Sequence, residues 1–416
     1  MPSDVLPRHK AIAVFVAFAL AYFLSALIRA ITATLAPTLV QEFQLRSADL
    51  GLLAGGYFLG FAAMQLPLGR WLDRHGPRKV VLLFLLAAVA GCVAFATADQ
   101  FAGLLLGRIL CGVGVCACLM APLTGYRRWY PPDQLMRANS WMLMVGASGM
   151  VASTLPVQWL MPWVGWRGIF MVLAALVVLS VLIIRWQVPV WEQRNAPTPS
   201  AVEPAATDAS SEQGYAEIWR HPYFRRLAPL GFFNYGGMVA LQTLWAGPWM
   251  TKVAGYSPAQ AATGLFWLNL AMLLAYWLWG MANPWLSRNG WGAEKVIRRW
   301  MPLNFVLLAI LIIAGGAYPA WAGVLLSSVC VSCTVTALAQ PAVGMAFPGH
   351  MAGRALSAYN LVIFAGVFAV QWGIGLSVDG FKTTGMPEAQ ALQAAFAVHG
   401  GMCVAAYLVA RNAKAP

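Results

Sequence analysis

The chain has 416 residues, of which hydrophobic types make up 60% and charged types only 10%. A soluble domain carries about a quarter charged residues, so this composition excludes a water-soluble globule. The net charge of +13 first suggests a nucleic-acid partner, a reading that the distribution of charge along the chain removes.

Twelve apolar stretches follow one another at 11–40, 48–69, 79–98, 101–125, 138–161, 166–188, 226–250, 258–284, 296–317, 319–347, 354–377 and 388–410. A bilayer core of about 30 Å takes roughly 20 apolar residues per helical crossing. Lipid offers the backbone no hydrogen bonds, so only helices or closed barrels cross it. These runs are continuous, unlike the ~10-residue alternating strands of a barrel. The expected class is an all-α integral membrane protein with twelve transmembrane helices, called spans one to twelve below. Span one follows Arg8 and Lys10 as a secretion signal would. It continues past Arg29 to Pro37, well beyond a signal's ~7–15-residue apolar core, and so reads as a retained span. With both termini cytoplasmic, 21 of the 27 basic residues face the cytoplasm; Arg46, Arg167, Lys252 and Lys382 face outward, and Arg29 and Arg108 lie within spans. This positive-inside bias predicts the orientation in the inner (plasma) membrane. It leaves the bilayer, and no nucleic acid, as the large partner. None of the seven cysteines falls in an external loop, so no disulfide framework is expected.

Between spans two and three, residues 69–79 read GRWLDRHGPRK, with Asp73 set among Arg70, Arg74, Arg78 and Lys79. The stretch 189–222 turns polar and Pro-rich, with Pro189, Pro197, Pro199 and Pro204. It is expected to be a cytoplasmic linker, dividing a six-helix bundle at 1–188 from a second at 223–416. The halves echo each other. RWLDRHG at 70–76 returns as PWLSRNG at 284–290, with Ser287 in place of Asp73, and Val157-Gln158-Trp159 returns as Val370-Gln371-Trp372. Such parallel six-helix repeats are one architecture of secondary transporters.

GRWLDRHGPRK resembles the loop 2–3 motif of the major facilitator superfamily at Gly69, Asp73, Arg74, Gly76, Arg78 and Lys79. Leu104, Arg108 and Gly112 in span four, and Gly165-Trp166-Arg167 before span six, resemble further family patterns. The resemblance implies two pseudo-symmetric six-helix bundles working by alternating access. It also implies that Asp73 latches the cytoplasmic side by docking on the start of span eleven near 352–356. A carboxylate at a helix N-terminus gains about 0.3–1 kcal/mol, and small glycines let helix ends approach.

Ionisable groups within spans are costly and therefore suspect. Arg29, Arg108 and His399 are the ones well inside a span; all fourteen acids lie in loops, the linker or span ends. Two arginines without a carboxylate favour an anionic substrate, since guanidinium forks suit carboxylate, phosphate or nitrate oxygens. Arg29 shares a helix face with Tyr22, Ser25 and Thr32. Span one lines the central cavity in the family it resembles, which implies the same for that face. Tyr235, Gln242, Gln340, Asn360 and Gln371 are further candidate contacts, with Asn234, Tyr359 and Gln158 beside them. Such polar groups also serve as glue between helices.

The expected protein is thus a secondary transporter of a small organic or inorganic anion. A proton or counter-anion would be the coupling partner, with no cofactor or metal, and the protein would be a monomer. His399 is the ordinary titrator available at depth. Cys111, Cys116, Cys118, Met120, Cys330 and Cys333 raise soft-metal (copper) transport as an alternative. A drug or metabolite effluxer and a transporter-like sensor are the others. The glycine-proline motif of drug antiporters is only loosely echoed by Gly146, Gly149 and Pro156. No HExxH, GxSxG or P-loop points to an enzyme.

Overall fold

The structure is a computed structural model that describes residues 5–191 and 215–411. Most of the linker expected at 189–222 lies outside the described residues, as does the side chain of Ser287. The described residues form helices and no strand. Among the described residues, nine helices are long and apolar enough to cross a membrane, Ser47–Ala63 is a shorter apolar one, and the order fits twelve crossings.

Span one is the helix Arg8–Phe43; span two is Ser47–Ala63, continued into the start of Gln65–Ala96. That second helix breaks at Gly76, whose φ of 75° turns the chain into span three. Span four joins Phe101–Val115 to Ala117–Trp129, and span five joins Pro132–Ala152 to the start of Leu155–Gln187. A second break at Gly165, φ 64°, begins span six. Span seven runs from Pro222–Pro229 to Trp249–Val253; span eight is Pro258–Arg288, and span nine Ala293–Ala314. Span ten runs through Pro319–Cys333, Thr334–Leu338 and Ala339–Met345; spans eleven and twelve are Gly349–Thr383 and Glu388–Ala410. Left-handed φ values near +70° suit glycine because it carries no Cβ. Gly76 and Gly290, which end the two echoed heptapeptides, have φ of 75° and 71°. The repeat in sequence is thus a repeat in backbone turn.

Small residues set the close packing of spans three and four. A methyl added at Gly107 would stand 2.7 Å from the Phe95 nitrogen, and one at Gly91 would stand 2.5 Å from the Cys111 nitrogen. Such contacts replace hydrophobic driving force where lipid is as apolar as the helices. The outer surface carries Trp163, Trp186, Trp267, Trp285 and Trp321, each more than half exposed, as membrane-facing aromatics are.

The side bearing the chain ends is called the near side and the opposite one the far side. Spans one to six meet spans seven to twelve on the far side. Phe58 stacks on Phe364 at a centroid separation of 6.2 Å, and Phe61 packs tilted against the same ring at 4.4 Å. Farther out, a methyl on Gly55 would meet the Phe368 ring at 2.9 Å, and one on Gly51 would run into the Gln371 carbonyl. Gly247 of span seven approaches the Ala33 carbonyl of span one. On the near side, a methyl on Gly69 or Gly353 would meet open space. The two halves close together at one side and part at the other.

Candidate substrate site

Arg29 lies about 21 Å of helix from the far-side end of span one, at ~1.5 Å rise per residue. It is half-buried and points toward the other half of the molecule rather than to lipid. Its guanidinium lies 5.6 Å from the Phe61 ring centroid and close to the Tyr57 hydroxyl of span two. Tyr22 of span one, Tyr235 of span seven and Cys118 of span four are within electrostatic reach. Tyr235 lies beside Tyr276 of span eight. One cation is therefore ringed by tyrosines from both halves. Among the described residues no carboxylate pairs with it, and its Nε has no hydrogen-bond partner.

The other candidates separate into neighbours of this cluster and ties between helices. Tyr22 packs against Gly146, where a methyl would strike its ring. The Ser25 carbonyl accepts the Tyr57 hydroxyl at 3.4 Å, while the Ser25 hydroxyl is buried without a partner. Arg108 is fully enclosed. It donates to the Ile28 carbonyl at 2.8 Å and lies 5.0 Å from the Tyr57 ring centroid. Gln242 donates to Asn269 at 2.9 Å, Gln340 to Asn360 at 2.7 Å, and Gln371 to Thr243 at 2.9 Å. These amides tie spans seven and eight, ten and eleven, and seven and eleven. Asn234 donates to the Cys403 carbonyl at 3.2 Å, and Tyr359 to the Leu227 carbonyl at 3.3 Å. His399 fills the space that Gly237 leaves, with Cys403 at 3.4 Å. Tyr57, Phe61, Tyr276 and Phe364 were not legible from sequence; a tyrosine four residues before a phenylalanine in an apolar span is a weak signal.

In the charged loop, Arg78 donates to the Arg185 carbonyl at 2.5 Å, capping the end of span six, where a cation meets the negative end of the helix dipole. Gly76 is a seat for Trp191, whose ring would occupy the place of any side chain there. Trp191 is itself held by Trp129 and by Arg128, 4.8 Å from its ring centroid. Asp73 is exposed and faces Arg127 of span four. Lys79 is exposed, and Arg74 makes an interaction of its own. Docking of Asp73 on the start of span eleven is not made in this conformation. The seven cysteines are free and buried, and among the described residues no group of three or more His, Cys, Asp or Glu could hold a metal.

The sequence pattern of the Major Facilitator Superfamily matches residues 18–371. The chain is 35% identical over 123 residues to a nitrate/nitrite transporter of Picosynechococcus, covering 29% of this chain and 22% of that one. It is 25% identical over 244 residues to a probable L-galactonate transporter of Escherichia coli, covering 58% of this chain and 48% of that one. The matches thus span less than half of these relatives' own length. A bacterial homologue of the human lysosomal transporter Spinster, solved in an inward-facing and unoccupied conformation, superposes with a TM-score of 0.78 at 17% identity, covering 98% of each chain.

Proposed function

Because the chain belongs to the Major Facilitator Superfamily, we propose that it carries a small organic or inorganic anion across the inner membrane by alternating access. In this reading residues 1–188 rock against 223–416 around the Arg29 cluster. The observation that carries the anion is the unpaired charge of Arg29. A buried charge without a counter-ion is costly. Here the guanidinium is half-buried among rings and hydroxyls, with an unused donor. A ligand carboxylate, nitrate or sulfonate would supply the missing counter-charge, and the Tyr22, Tyr57 and Tyr235 hydroxyls could supply neutral donors beside it. The relatives named for nitrate and for L-galactonate move anions, which supports the same class. Basic residues crowd the near side, which makes it the cytoplasmic one. In this reading the open side is cytoplasmic and the conformation is inward-facing.

Purified protein would be titrated with anionic and cationic metabolites while thermal unfolding is followed, then the same done for Arg29→Ala. A hydrogen bond to a charged group is worth roughly 1.5–3 kcal/mol, so an anion that stabilises the wild type should bind the variant roughly 10- to 150-fold more weakly. Stabilisation of both proteins by cations alone would overturn the anion assignment. Uptake of the stabilising anion into proteoliposomes then separates a carrier from a sensor.

A further inference from the structure

The far side is held by a carboxylate. Asp379, near the end of span eleven, accepts the backbone N–H of Ser47 at 3.2 Å through Oδ1 and that of Ala48 at 2.8 Å through Oδ2. Ser47 and Ala48 are the first two residues of the 17-residue helix that opens span two. The first four N–H groups of a helix have no partner within it, and its N-terminus carries about half a positive charge. The acid comes from the other half of the molecule, more than 330 positions away. Its approach depends on Gly375, one turn earlier on the same helix. A methyl there would strike the Ser47 carbonyl and stand 2.9 Å from the Ala48 Cα.

The near side repeats this pattern in the opposite direction. Span two ends in Gly69-x-x-x-Asp73, and span eleven ends in Gly375-x-x-x-Asp379. The two helices run antiparallel, so the acid at the end of each faces the N-terminus of the other. In this structure Gly375 is packed and Asp379 is bonded, whereas Gly69 meets open space and Asp73 is exposed.

We propose that Asp379 is the outer latch of the transport cycle, closed here, and that it exchanges with Asp73 as the two ends of the span two–span eleven pair open and close in turn. This rests on the alternating-access reading above. Opening the far side breaks both Asp379 bonds and frees the start of span two. The same rocking brings Gly69 and Asp73 to the start of span eleven. One helix pair thus carries a lock at each end, and only one of them is engaged in each state. A carboxylate that merely capped its own helix would not bridge the halves and would not depend on a glycine facing the partner backbone.

The test places spin labels at Gln44→Cys and Lys382→Cys, both exposed at the far side, in protein reconstituted into lipid nanodiscs. The native cysteines are buried. A helix-terminal charge interaction of this kind, removed by Asp379→Asn, should raise the population of long far-side distances by about 2- to 30-fold. Asp73→Asn should lower it, and the double variant should lie between the two. Gly375→Ala, which leaves the acid in place but blocks its approach, should act like Asp379→Asn. A distance distribution unchanged in Asp379→Asn, with the variant still folded by gel filtration and thermal unfolding, overturns the latch. The distances need no substrate, so the two readings fail separately. An unresponsive latch in a protein that transports counts against Asp379 alone; a responsive latch in a protein that transports nothing supports the latch and counts against the carrier.

Discussion

Gly51→Ala offers a direct test of how the halves meet. A methyl at position 51 would run into the Gln371 carbonyl oxygen and lie 3.1 Å from both the Gln371 carbonyl carbon and the Trp372 Cα. Carbon atoms rest at about 3.5–4.0 Å, so spans two and eleven must separate locally by roughly half an ångström or more. Every atom in the way is backbone, and backbone cannot turn aside as a side chain can. Overpacking of this kind costs about 1–3 kcal/mol. Alanine also gains up to about 1 kcal/mol over glycine within a helix, but that gain is common to every conformation and cancels in any comparison between them. The clash belongs only to the state in which the far side is closed. Gly51→Ala should therefore shift the balance toward far-side opening by roughly 5- to 150-fold. The spin-label pair at positions 44 and 382 reads the shift. Gly112→Ala is the control, because its methyl would strike the Tyr57 carbonyl inside the same half, in contact that no rocking relieves. It should lower thermal stability and leave the far-side distances alone. If Gly51→Ala lowers the melting temperature as Gly112→Ala does, with no change in distance, the contact between spans two and eleven does not open during the cycle and the reasoning fails.

Two further substitutions probe the enclosed charge in span four. Arg108 is fully enclosed, and two of its nitrogens have no partner. Replacing a buried charge by an apolar side chain of similar volume is often neutral or stabilising, so Arg108→Met should unfold at or above the wild-type temperature. Arg108→Lys should unfold below it, because lysine keeps the charge but loses the planar face over Tyr57. At the two left-handed glycines, Gly76→Ala and Gly290→Ala should both lose about 1–2 kcal/mol of stability from backbone strain. Gly76→Ala should lose more, because its methyl displaces the Trp191 ring, whereas position 290 faces open space; thermal unfolding of the pair reads the difference.

Much of the fold was legible because a bilayer leaves a chain few choices. Continuous apolar runs of about 20 residues have to be helices, and their order along the chain follows without any knowledge of packing. The echoed heptapeptides were legible for another reason. Glycine at 76 and at 290 marks a conformation that other residues avoid, and the two φ values of 75° and 71° show one turn written twice. The site was legible only in part. Gln242, Gln340 and Gln371 are conspicuous in greasy sequence, but whether an amide faces a cavity or a neighbouring helix depends on how far each helix is rotated about its axis. Packing turned these toward Asn269, Asn360 and Thr243, none of which lies close in sequence. Tyr57 and Tyr276 stayed hidden for the same reason, since a tyrosine in an apolar span looks like any other ring. The two arginines bring this to a point. As letters they are equal, one per span with no acid nearby. In space Arg108 is fully enclosed, donates to the Ile28 carbonyl and lies over the Tyr57 ring. Arg29 is half-buried, over the Phe61 ring and close to the Tyr57 hydroxyl. The two cations thus part company only in the packed bundle, where one is fully enclosed and the other is half-buried among tyrosines of both halves, and that difference belongs to no single helix.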